Sequence, residues 1–207
     1  MTGLTRTRPF IMADPNFDLT PAEALKTSQE LLRKTSGRST LRASPPSLAG
    51  AQWTRLPGTA AEARSVAPLL ESYAGERPFV YTDRNALEGV FKAFVRPQVA
   101  VLSTHGFFQG QATAANVSNS TSTGTAASTA LQNPLLQCGV VLAGANRPST
   151  TTELEDGILT GLEIVSTDLR GTDLVVLKAC DTGLGVVRQG EGVARPTLGS
   201  ELGRAPA

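Results

Sequence analysis

Apolar positions along the chain fall into bursts of two kinds. Unbroken runs at Phe10-Ile11-Met12, Phe79-Val80-Tyr81, Val99-Ala100-Val101-Leu102, Val140-Val141-Leu142 and Leu174-Val175-Val176-Leu177 predict short strands. Those at 99–102 and 174–177 lack any polar alternation, the pattern of strands covered on both faces. The other bursts recur at helical spacing. Leu87, Val90, Phe91 and Phe94 stand at i, i+3, i+4 and i+7, one apolar helical face that Pro97 closes. Gly89 weakens that helix by about 1 kcal/mol relative to alanine, yet its face survives. Ala63, Val66, Leu70 and Tyr73 predict a second helix, with Thr59 as its cap and Glu62 as the capping-box partner. Pro68 lies inside it and predicts a bend or an early stop. Ala22 to Arg33 reads as a third helix, with Leu25, Leu31 and Leu32 partly on one face. Thr160 and Glu163 repeat the capping-box spacing at the head of a short helix that leaves through Asp168-Leu169-Arg170-Gly171.

Strands that alternate with helices argue for an α/β layer fold with a mainly parallel sheet. Such folds put their chemistry outside the carboxyl ends of the strands. The 207 residues suffice for one domain with a real core. Residues 1–50 read as an N-terminal strand and a poorly ordered segment of that domain, because 36–50 is rich in Ser, Gly and Pro. Residues 51–194 read as the core. Within it, 109–130 holds almost only Gly, Gln, Ala, Asn, Ser and Thr, and reads as a flexible insertion. Residues 195–207 have no sustained period and read as a disordered tail.

Charge changes this picture by exclusion. Lys and Arg number 19 against 18 Asp and Glu, so no global field draws nucleic acid or an anionic membrane. No apolar run approaches the ~18 residues of a bilayer span, and the first residues lack the apolar stretch of a secretory signal. A cytoplasmic protein is the expectation. Two cysteines, Cys138 and Cys180, make no disulfide framework. There is no phosphate-binding loop and no dinucleotide fingerprint, so no cofactor is expected.

Candidate chemistry rests on His105 and Cys180. His105 is the single histidine; it follows one apolar strand and precedes Gly106. Cys180 follows another and precedes Asp181-Thr182-Gly183. If the two strands are neighbours, a thiol and an imidazole meet across the top of the sheet, as a cysteine peptidase requires. The backbone amides of Gly106 and Cys180 would then hold the oxyanion of a tetrahedral intermediate. Two blander readings stand beside this one. A cysteine that ends a core strand is often a small buried hydrophobe. One histidine and two cysteines could also supply three zinc ligands, but without any of the usual ligand spacings.

At these residues the sequence resembles the CHAT domains, a family related to caspases, separases and gingipains. Leu102-Ser103-Thr104-His105-Gly106-Phe107-Phe108 is similar to the family's histidine motif, and Val175 to Gly185 to its cysteine motif. Asn133-Pro134-Leu135-Leu136, Leu142-Ala143-Gly144-Ala145-Asn146, Asp156-Gly157-Ile158-Leu159-Thr160 and Asp168-Leu169-Arg170-Gly171-Thr172-Asp173 resemble the segments between. Ala13-Asp14-Pro15-Asn16-Phe17 and Leu56-Pro57-Gly58-Thr59 resemble the opening elements.

The resemblance implies a caspase–hemoglobinase-like three-layer α/β sandwich, with His105 as the catalytic histidine and Cys180 as the nucleophile. It implies a cysteine endopeptidase acting on a protein or peptide substrate. Family members often sit behind repeat domains that sense a partner; this chain has no such repeat, so a sensor would be a separate protein. Lys178 stands where the family usually has serine, two residues before the nucleophile. Members also continue past Glu191-Gly192-Val193 with further strands and helices, which implies a domain incomplete at its C-terminus and possible loss of activity. The alternative is a non-catalytic CHAT fragment, either a protein-interaction module or a disrupted gene product.

Overall fold

The computed structural model describes residues 6–33, 48, 51–108, 133–147 and 155–181, with Cys180 and Asp181 described by their backbone. The sequence expectations for 109–130 and 195–207, and for most of 34–50, lie outside the described residues. In chain order the elements are β1 (Phe10–Pro15), α1 (Pro21–Leu32), α2 (Pro57–Ala74), β2 (Phe79–Asp83), α3 (Glu88–Lys92) and β3 (Val99–Phe108). A 3-10 turn at Pro134–Leu136 leads to β4 (Cys138–Val141), β5 (Ile158–Thr160), α4 (Gly161–Val165) and β6 (Leu174–Asp181).

The sheet is mixed. β2, β1, β3 and β6 lie side by side in that order, all parallel. β1 pairs with β3 only as far as Ser103, opposite Ala13. Beyond that point β3 pairs antiparallel with β4 through Gly106 to Phe108, and β4 pairs antiparallel with β5. β3 is therefore the spine that both halves share.

Period-2 alternation assigns each face its helices. Ile11, Ala13, Val99 and Val101 pack against Ala63, Val66, Ala67 and Leu70 of α2. Phe10, Met12, Ala100 and Leu102 face the other way, toward Leu87, Val90 and Phe91, with Ala24 and Leu32 of α1 and Ile164 of α4 packed alongside. The result is an α/β sandwich with helices on both faces of the sheet.

Three helix expectations need correction. α2 is not capped by Thr59 and Glu62: its cap is Leu56, with no side-chain bond. The Thr59 hydroxyl instead donates to the Leu56 carbonyl and accepts the Asp14 N–H, both at 2.8 Å. Glu62 is drawn away by partners on the sheet. Pro68 does not end α2, which runs on to a left-handed Gly75. Ala63, with Val66, Ala67 and Leu70 half-buried beside it, anchors the helix to the sheet despite one missing backbone bond, while Tyr73, expected on the same face, is exposed. α3 is shorter than its apolar face, because Ala93 and Phe94 turn in a tighter spiral onto Val90 and Phe91. Phe94 nevertheless stacks on Phe10, ring centroids 4.1 Å apart. The Thr160–Glu163 capping box forms as expected, and Thr20 with Glu23 makes a second one on α1.

On the α3 side, Lys92 is buried with its ammonium 2.7 Å from Glu88, 2.9 Å from Glu155 and 2.9 Å from Glu163. This knot ties α3 to the segment ahead of β5 and to α4. At the opposite margin of the sheet, β6 has β3 as its only partner among the described residues, and Leu174 to Leu177 are all solvent-exposed.

Candidate functional site

β3 and β6 run in register over eight residue pairs, from Val99 opposite Leu174 to Gly106 opposite Asp181. His105 and Cys180 are direct partners in that ladder. Both lie inside their strands, not after them. β1 no longer covers β3 at this level; β4 takes over that edge from Gly106 onward.

His105 is buried among aromatic rings. Its ring lies 5.4 Å from that of Phe17 and 5.6 Å from that of Trp53, tilted against both. Its Nε2 is 2.8 Å from the carbonyl oxygen of Thr54. A carbonyl can only accept, so Nε2 is the donor in this contact, and in the neutral ring the lone pair falls on Nδ1. An imidazole held in this tautomer is equipped to take a proton at Nδ1.

The segment 53–56 that supplies this carbonyl is fixed from two sides. Asn146 accepts the Trp53 N–H at 2.7 Å, and its amide donates to the Trp53 carbonyl at 2.9 Å and to Asp18 at 3.0 Å. The Asn146 N–H meets the Phe17 carbonyl at 2.9 Å, so one residue gathers both aromatic walls. On the other side, Asp14 is buried at the end of β1. Its two oxygens accept Nε and Nη2 of Arg55, at 2.9 and 2.7 Å, and one also accepts the Leu56 N–H at 3.1 Å. Arg55 reaches Asp83 with its remaining arm at 2.7 Å. The Asp14 bond first, then both carboxylates' charge, hold the guanidinium above its usual range.

On the same face as His105, Ser103 donates to Glu62 of α2 at 3.3 Å. Lys178 of β6 reaches the other Glu62 oxygen at 2.8 Å. Glu62 thus joins α2 to both strands of the candidate site. Gly106 is required here by contact: a Cβ on it would stand 2.7 Å from the Cβ of Ala179.

Cys138 opens β4, away from this cradle; burial pushes its thiol up. The zinc reading gathers no support among the described residues. The single grouping there that could hold a cation is Glu88, Glu155 and Glu163, and Lys92 already sits in it. The sequence had singled out His105, Cys180 and Gly106, and their backbones come together. It had not assigned Trp53, Thr54, Arg55 or Asn146. Asp14 and Asn146 stood inside motifs noted for their likeness to the family, but without a role.

A family model described as CHAT domain matches residues 4–205. No curated protein and no solved structure matches the chain.

Proposed function

Because the chain belongs to the CHAT-domain family, whose members are cysteine-peptidase-like, we propose that it is a cysteine endopeptidase with His105 and Cys180 as its dyad. The observation that carries this reading is the His105 Nε2 contact with the Thr54 carbonyl, made at the strand position directly opposite Cys180. The Cys180 thiol gives its proton to Nδ1 of His105. The thiolate attacks a peptide carbonyl carbon, and the C=O electron pair moves to oxygen. Backbone amides at Gly106 and Cys180 stabilise that oxyanion. Collapse breaks the C–N bond, and the leaving amine takes the proton from His105. Water, deprotonated by His105, then cleaves the thioester to a carboxylate and regenerates the thiol.

The two cysteines provide an internal control. Burial suppresses the Cys138 thiolate, so iodoacetamide at neutral pH should label Cys180 faster by roughly tenfold or more. His105→Ala should abolish most of that advantage. Site-resolved mass spectrometry reads both rates, and equal rates would remove the activated nucleophile from the proposal.

A second reading has one observation in its favour. The exposed run Leu174 to Leu177 on β6 suits an interaction module that binds a protein through this strand without cleaving it. Under that reading Cys180→Ala leaves every activity of the domain intact.

A further inference from the structure

The carbonyl that bonds His105 is aimed by its neighbours in the chain. Asn146 holds the peptide groups on one side of it, through the N–H and the carbonyl of Trp53. The peptide group that carries the Thr54 carbonyl comes next. The one after that ends in the Leu56 N–H, which Asp14 accepts at 3.1 Å. Peptide groups are rigid planes joined by two soft dihedrals per residue, so a plane between two held planes has little freedom to turn. Asn146 and Asp14 thus aim the Thr54 carbonyl from opposite sides.

The local backbone at Asp14 is unusual. The register of β1 on β2 shifts between Ala13 and Pro15, which makes Asp14 the bulged residue. Its φ of 46° lies in the left-handed region, which aspartate and asparagine tolerate better than most residues. Bulges re-aim side chains, and strained backbone gathers at functional sites. Here the bulge delivers a buried carboxylate to the segment 55–56. Its oxygens accept Nε and Nη2 of Arg55 at 2.9 and 2.7 Å, and Arg55 crosses on to Asp83 of β2. A ring of bonds then closes on Leu56. The Asp14 N–H goes to the Thr59 hydroxyl, the hydroxyl goes to the Leu56 carbonyl, and the Leu56 N–H returns to the Asp14 carboxylate. Both polar backbone groups of Leu56 are held by a circuit that starts and ends at Asp14.

We propose that Asp14 is a positioning residue for the candidate dyad: by fixing Arg55 and Leu56 it aims the Thr54 carbonyl, and so keeps the proton of the neutral His105 ring on Nε2 and the lone pair on Nδ1. Its catalytic meaning rests on the peptidase reading; the tautomer itself is a property of the folded chain. When the carbonyl swings away, Nε2 loses its acceptor and the ring populates both neutral tautomers. The form with its proton on Nδ1 cannot take a thiol proton at that atom. The ring also loses the bond that orients it between Phe17 and Trp53.

His105 is the only histidine in the protein, so 15N NMR reads its two ring nitrogens free of overlap. With the ring neutral, the natural protein should show the Nε2–H pattern. Asp14→Asn matches the side chain in size, suits the positive φ and keeps an acceptor for the Leu56 N–H, while it gives up the charge and one Arg55 bond. It should turn the spectrum into that of a tautomer mixture. The iodoacetamide rate at Cys180 should fall about tenfold, because ring orientation goes with the tautomer. Arg55→Gln, at a partly exposed side chain, should give the same mixture, and the double variant no more than either alone, since both remove one interaction. Should Asp14→Asn fail to fold, Arg55→Gln carries the test by itself. A natural protein with its proton on Nδ1, or variants that melt lower yet keep the Nε2–H spectrum, would overturn the positioning role. Failure of the peptidase reading looks different: Cys180 would label no faster than Cys138 in the natural protein, while the tautomer still responded to Asp14→Asn.

Discussion

Asn146 grips Trp53 by both of its backbone polar groups, accepting its N–H at 2.7 Å and donating to its carbonyl at 2.9 Å. The next carbonyl along, that of Thr54, is the one that orients His105. Asn146→Ala would strand two part-buried polar groups and should cost about 1–3 kcal/mol in denaturant unfolding. The protein has one tryptophan, so its fluorescence reports this clamp without a label. A red-shifted emission in the native variant is the expected sign that the Trp53 wall has loosened. An unchanged midpoint and spectrum would mean the clamp contributes nothing.

Gly106 sets how closely β3 and β6 approach beside the candidate dyad. Gly106→Ala places its new methyl 2.7 Å from the Ala179 Cβ, and overpacking of this kind costs about 1–3 kcal/mol. The strands must part to relieve it, so the labelling advantage of Cys180 should fall as well. Adding Ala179→Gly removes the clashing partner and should restore stability. Differential scanning calorimetry of the single and double variants tests the pair; failure of the second change to rescue would place the strain elsewhere.

The Lys92 knot predicts a large loss and a pH signature. Lys92→Met leaves Glu88 and Glu163 buried without their cation, a change worth about 3–5 kcal/mol. Glu88 is held well above the usual carboxylate value of 4.5, chiefly by burial, then by the charges of Glu155, Asp156 and Glu163, and Lys92 opposes them. A carboxyl raised in the folded state binds its proton more tightly there than in the unfolded chain. Its contribution to stability is therefore full below 4.5 and is lost as pH rises through the folded value. The unfolding free energy of the natural protein minus that of Glu88→Gln should accordingly fall as pH climbs from the ordinary carboxylate range toward neutrality. A flat difference would show that folding leaves the proton affinity of Glu88 unchanged.

α2 tolerates Pro68 in its interior. Pro68→Ala restores an N–H to the helix ladder, at the expense of a more flexible unfolded chain. The net gain should be about 1–2 kcal/mol, read as a higher melting temperature. A lower one would mean that the ring itself packs usefully.

Much of this architecture was legible in the sequence. Unbroken apolar runs marked β1, β2, β3, β4 and β6, but the reading that such a run is covered on both faces holds for β1 and β3 and fails for β6, whose Leu174 to Leu177 are exposed. The histidine and cysteine strands proved to be neighbours in register. β5 escaped, since three residues of Ile-Leu-Thr carry no period. Thr59 and Glu62 had the right spacing for a cap but were claimed by Asp14, Ser103 and Lys178, which are distant in sequence. The cradle around His105 was illegible for the same reason. Nothing local at Trp53 or Asn146 announces a bond between residues 93 positions apart.

That separation bears on when the candidate site comes into being. The bonds from Asn146 to Trp53 and Asp18 span 93 and 128 residues, and the His105 ladder to Cys180 closes another long loop. Contacts this far apart form late, because the chain entropy of closing such loops is lost before the contacts repay it. A growing or half-collapsed chain can hold its helices and still have no oriented imidazole. If the dyad is a peptidase, it is born inert and switches on only at the last closure, which spares the folding chain and its neighbours from its own chemistry.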